Sequence, residues 1–106
     1  MTRTHNREED VILVRNVFHL KFGQAKEAVA IWKEMVELMR NAGIGSDHRL
    51  LTDLAGTPYY TLIFEVSFPS LSEWRGALDS EEQRRLYERL IPLVESGSRE
   101  IFNIVE

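Results

Sequence analysis

Apolar residues recur at every second position over two stretches of the chain and at every third or fourth over two others. That change of period predicts the elements. The run Val11 to Phe22 (VILVRNVFHLKF) is rich in β-branched and aromatic residues and reads as a strand. Gly23 breaks it and is placed to cap a helix. From Gln24 to Ala42 the period becomes 3.6. Ala25, Ala28, Ile31, Trp32, Met35, Leu38 and Met39 share one face, and Lys26, Lys33, Glu34, Glu37 and Arg40 fall opposite, as in a helix lying over a sheet. Gly43-Ile44-Gly45 is its stop signal.

A second strand is predicted at about Asp47 to Leu54, then a turn at Ala55-Gly56-Thr57-Pro58 and a third strand from Tyr59 to Phe68. In that third strand Tyr60, Leu62, Phe64, Val66 and Phe68 alternate with Thr61, Glu65 and Ser67. Ser70-Leu71-Ser72-Glu73 has the form of a capping box and opens a second helix, with Leu71, Trp74 and Leu78 on its apolar face. A second start at Asp79-Ser80-Glu81-Glu82 predicts a kink or break before Leu86, Leu90 and Ile91 continue the stripe. Pro92 disturbs the helix and Gly97 is read as its end. A last strand is expected over Ser98 to Glu106.

The order is β-α-β-β-α-β, an α+β ferredoxin-like sandwich. Residues 1–10 form a flexible polar tail, and 11–106 a single domain of four antiparallel strands with both helices on one face. The other face is left bare, and its pattern is mixed. Strand one offers Leu13, Arg15, Val17, His19 and Lys21; strand two Asp47, Arg49, Leu51 and Asp53; strand three Tyr59, Thr61, Ile63, Glu65 and Ser67. In strand four Arg99, Ile101, Asn103 and Val105 are the favoured set. A solvated face has no need of so many aliphatics, and a buried core would not carry so many charges. A second copy packed over this face, closing a dimeric α/β barrel with a partly polar space inside, satisfies both.

Composition narrows the function. With no cysteine there is no disulfide, thiolate zinc site, iron–sulfur cluster or cysteine nucleophile. A net charge of −4 argues against a nucleic-acid partner. The third strand also lacks the Lys/Arg-Gly-aromatic signature by which RNA-binding domains of this topology stack bases. No apolar stretch is long enough for a membrane span, and no leader peptide is recognisable, so a cytoplasmic protein with no membrane partner is expected. Three scattered histidines give no metal-ligand spacing, and no metal or cofactor is expected.

Candidate chemistry therefore falls on the bare face. His19 and Glu65 lie on strands that this topology makes neighbours, and are the candidate catalytic pair, a general base with its orienting carboxylate. The competing reading, an ion pair or dimer contact, weighs more. Arg15, Arg49, Asp53 and Tyr59 are candidate ligand-binding residues, and the guanidinium forks of Arg15, Arg49 and Arg99 suit a carboxylate; pairing of these arginines with Asp47, Asp53 and Glu65 across the dimer is the plainer alternative. Trp74 is a further ligand-binding candidate, although its helical spacing with Leu71 and Leu78 reads first as core.

Over residues 11–106 the chain resembles the dimeric α/β-barrel superfamily. The segment Glu65 to Trp74 (EVSFPSLSEW) is similar to the strand-three-to-helix-two passage of NIPSNAP-type and antibiotic-biosynthesis-monooxygenase-type domains. The resemblance implies a homodimer through the bare sheet face. It also implies a small organic molecule bound between or beside the sheets, or a cofactor-independent monooxygenase acting on an aromatic or polyketide-like substrate; a structural module without ligand is the third possibility. Haem-degrading relatives pair a strand-one Asn with a helix-two Trp, and Asn16 and Trp74 match. The helix-two His ligand of those relatives has no counterpart between Trp74 and Glu106, and Asn16 falls on the apolar parity. Both points argue against haem degradation.

Overall fold

In a computed structural model, described for residues 11–55, 60–77 and 80–106, strand β1 (Ile12–Leu20) leads to helix α1 (Ala25–Asn41). Strands β2 (Ser46–Thr52) and β3 (Tyr60–Phe68) follow, then helices α2 (Leu71–Gly76) and α3 (Glu81–Leu90). A 3₁₀ turn at Ile91–Leu93 leads to β4 (Val94–Asn103). The four strands form one antiparallel sheet in the order β2-β3-β1-β4. This is the ferredoxin-like α+β arrangement.

Strict alternation in β1 decides which face is covered. Ile12, Val14, Asn16, Phe18 and Leu20 are buried, and the residues between them are half-buried. In β3, Leu62, Phe64, Val66 and Phe68 join them beneath α1, whose Ala28, Ile31, Trp32, Met35, Val36 and Met39 complete the core. Trp32 stacks on Phe64 with ring centroids 4.7 Å apart, and Phe18 tilts against it at 5.5 Å. Burying side chains of this size contributes about 1.5–3 kcal/mol each.

The expected break in the second helix is present. Ser70 accepts a hydrogen bond from Glu73 N and starts α2; Ser80 accepts one from Gln83 N and starts α3. The α3 cap is thus Ser80, one residue beyond the predicted Asp79, which lies outside the described residues together with Leu78.

Strand four departs from expectation in two ways. It begins at Val94, so Gly97 lies inside it, opposite Phe18, instead of ending a helix. A Cβ at Gly97 would meet the Phe18 ring at 3.2 Å, so the absent side chain gives that core ring its room. The parity is also reversed. Arg99, Ile101 and Asn103 pair with Asn16, Val14 and Ile12 on the helix side, whereas Ser98, Glu100 and Phe102 lie on the open face. The register slips between His19 and Leu20, where Glu95 is an extra residue, and a bulge changes which positions share a face. Among the described residues no helix is long and apolar enough to cross a membrane.

Candidate functional site

Between α1, the α2–α3 segment and the β1, β3 and β4 part of the sheet lies a cavity of about 440 Å³. Its origin is the unequal cover given by the helices. Helix α1 buries six side chains, α2 buries none and α3 buries only Leu90. The sequence of α3, EEQRRLYERL, offers little else to bury. One half of the sheet is therefore sealed by α1, and the other half is roofed at a distance. Val14, Asn16, Phe64 and Val66 make the floor; Trp32, Met35 and Met39 the wall; Trp74, Ser80, Gln83 and Tyr87 the roof. Arg84, Glu88 and Arg99 stand at the rim.

Asn16 is the polar residue of an otherwise apolar strand face, and it is 8% exposed. The register sets it opposite Arg99, whose Nε donates to Asn16 Oδ1 at 2.8 Å. A guanidinium Nε–H can only donate, so the amide oxygen must face Arg99 and the NH₂ group must turn away from it. Asn16 Nδ2 makes no hydrogen bond to the described residues, and Asn16 lines the cavity. The Arg99 guanidinium also lies 5.5 Å from the centroid of the Trp74 ring. Trp74 is half-buried in the roof and packs against the margin of the core. The indole N–H of Trp32, in the wall, is buried without an acceptor among the described residues.

The open face holds most of the sequence-predicted site residues. Arg15, opposite Glu65 in the register, donates from Nε to Glu65 Oε2 at 2.8 Å. Arg49 approaches the other carboxylate oxygen at 3.9 Å, and Arg15 also reaches Glu100 at 3.5 Å and lies over the Phe102 ring. These form a balanced cluster of two cations and two anions, with Glu65 only 6% exposed at its centre. The structure does not bring His19 and Glu65 together. His19 is opposite Thr61, with Nδ1 3.5 Å from Thr61 Oγ1, and four residues along a strand separate it from Glu65 by roughly 13 Å. Asp53 extends the ladder: its Oδ1 accepts from Thr61 N at 2.8 Å. Tyr59 lies outside the described residues.

Of the candidates among the described residues, Trp74 lines this cavity and the others do not. Of the other cavity residues, Asn16 is marked in the sequence only by the haem-type pairing, Trp32 only as core, and Arg99 as a carboxylate-binding candidate on the open face. The signal for Asn16 was present, because an amide in an apolar parity calls for a partner. The bulge in β4 puts Arg99 on the helix side, opposite Asn16, and not on the open face that its sequence parity favours.

No family model matches the chain, and no curated protein matches it. Solved structures do. The fold is similar to that of SnoaB, a cofactor-independent oxygenase from Streptomyces nogalater (14% identity, TM-score 0.77), over 92% of this chain and 95% of that one. It is similar to an antibiotic biosynthesis monooxygenase (17%, TM-score 0.76) over 90% and 99% of the two chains. It also resembles a dimeric ferredoxin-like protein of unknown function from Bacteroides fragilis (12%, TM-score 0.74) over 89% and 96%. At these identities the likeness shows a shared fold, the ferredoxin-like α+β arrangement of one antiparallel sheet with its helices on one face.

Proposed function

We propose that this protein binds a small, ring-containing organic molecule in the cavity under its helices. The observation that carries the reading is the oriented amide of Asn16 in the floor of an apolar space of ligand size. Pockets of roughly 300–1,000 Å³, with apolar walls and a few convergent polar groups, are the usual form of a small-molecule site. Trp32, Phe64 and Trp74 offer aromatic surface to a flat ligand, and Asn16 Nδ2 offers a donor to its oxygen.

The test uses the chain's own reporters, since both of its tryptophans line the cavity. A panel of phenols, quinones and naphthols is titrated while tryptophan emission is followed. Saturable quenching is expected in the parent protein. Ala77→Phe, which places a ring at the roof, should weaken it about tenfold with little change in melting temperature, because Ala77 is only partly buried. Absence of quenching across the panel, or quenching indifferent to Ala77→Phe, would sink the idea.

The likeness to SnoaB favours one catalytic version, a cofactor-independent oxygenation. For a substrate whose CH₂ group is activated by a neighbouring ring and carbonyl, that CH₂ group would react with O₂. One oxygen atom becomes a carbonyl, and the other leaves as water with the two hydrogens. The role for Asn16 is to hold the enolate oxygen of the substrate by hydrogen bonding, which favours the electron-rich form that reacts. Oxygen uptake with an anthrone, abolished by Asn16→Leu, is the corresponding measurement.

We also infer a homodimer through the open sheet face. Half-buried Leu13, Val17, Leu51 and Ile63 surround the balanced Arg15, Arg49, Glu65 and Glu100 cluster there. A second copy presents the same neutral, partly apolar surface, and a twofold contact needs a self-complementary patch.

A further inference from the structure

We propose that Arg99 makes this cavity selective for an organic acid, with the carboxylate held at the rim and the ring body inside. The inference rests on the small-molecule reading of the cavity and adds the charge of the ligand.

Arg99 differs from the arginines of the open face and of α3. Arg15 and Arg49 share Glu65, Arg85 meets Glu81 and Arg89 meets Glu34. Arg99 has no carboxylate within salt-bridge distance among the described residues. Its contacts are Asn16, through Nε, and the Trp74 ring. Those two restraints act on different parts of the guanidinium. The Nε bond fixes the inner edge, and the ring fixes the plane. The Nη edge makes no hydrogen bond within the described protein, and it is the edge that grips a carboxylate with two parallel N–H···O bonds. A fork held in this way loses less rotational freedom on binding than a free side chain does.

The surroundings agree with this assignment. The space behind Arg99 is walled by Met35, Met39, Phe64 and Val66, which suit an apolar body and offer an anion nothing. Glu88 shares the rim and makes no ion pair among the described residues, so it opposes an anionic ligand without neutralising Arg99.

Two probes of equal shape, 2-naphthoate and 2-naphthamide, separate charge from fit. With tryptophan quenching and calorimetry at low salt, the parent protein should bind the acid about tenfold more tightly than the amide, the factor expected of one charge-assisted contact near solvent. Arg99→Gln should bring the ratio close to one by weakening the acid alone. Arg99→Lys should retain part of the preference, and Glu88→Gln should increase it. Equal affinity for the two probes in the parent protein overturns the role of Arg99 and leaves the cavity reading standing. Failure of both probes to bind removes both. An acid preference that survives Arg99→Gln in a variant with normal melting behaviour also overturns the assignment.

Discussion

Arg99 on β4 holds the amide of Asn16 on β1 by a 2.8 Å hydrogen bond, and this bond aims the Asn16 NH₂ group away from the sheet's edge strand. On the proposed binding role, Asn16 sits in the core face to meet a ligand, and its loss should cost little stability. Removing one partner of a hydrogen bond is costly when the other is left buried and unsatisfied, and costs little when water can reach it. Asn16→Leu is expected to leave the melting temperature unchanged or higher, because Arg99 is exposed and water can take its Nε bond. The same change should weaken ligand quenching of the tryptophans about tenfold. A clear loss of stability together with unaltered quenching would make Asn16 a structural residue.

The second relationship is the buried carboxylate on the opposite face. Glu65 is 8% exposed in its side chain and depends on Arg15 for its short contact, since Arg49 stands off at 3.9 Å. Arg15→Met is expected to destabilise the fold by about 1–3 kcal/mol, because a nearly buried charge is left with a distant partner. Arg15 is itself partly exposed, which keeps the cost below that of a fully buried pair. The double variant Arg15→Met/Glu65→Leu should be more stable than the Arg15→Met single variant, as denaturant titration of the cycle would show. Additive losses would mean that the two side chains act independently.

How much of this was visible in the sequence differs between the two faces. Strict alternation in β1 and β3 marks the covered side, and the serine caps mark where the second helix starts and restarts. Strand four has no such pattern: VESGSREIFN contains a bulge, and its polar residues fit either face. The cavity was hidden for another reason. Periodicity reports which side chains point inward, but the distance at which α2 and α3 stand from the sheet depends on packing volumes that no repeat encodes. An apolar parity looks the same in a sequence whether the space above it is filled or hollow. Asn16 was the one visible sign, a polar residue in an apolar row.

The turn before β2 is a sensitive point in the chain. Gly45 has φ of +68°, where a side chain is strained, and a Cβ there would collide with Val66. Val66 is part of the cavity floor, so the collision reaches the site. Gly45→Ala is expected to cost about 2–4 kcal/mol, combining the left-handed backbone penalty with overpacking. The denaturation midpoint should fall with little change in slope. A midpoint shift below a tenth of the parent value would show that Val66 can rotate away.

The open face can be tested separately from the cavity. Leu51 and Ile63 lie side by side in the β2–β3 register and are half-buried on that face. A glutamate at either position would add an unpaired charge at the centre of the proposed contact, where desolvation is costly. Leu51→Glu and Ile63→Glu are expected to shift the sedimenting species from two chains to one at micromolar concentration. Glu37→Lys, on the exposed side of α1, should leave the dimer intact. The cavity lies on the other side of the sheet, so quenching by a bound ligand should persist in monomeric Ile63→Glu. A parent protein that sediments as a single chain, or three variants that behave alike, would refute the interface. Loss of ligand binding on monomerisation would show that the two faces of the sheet act together, through the strands that separate them.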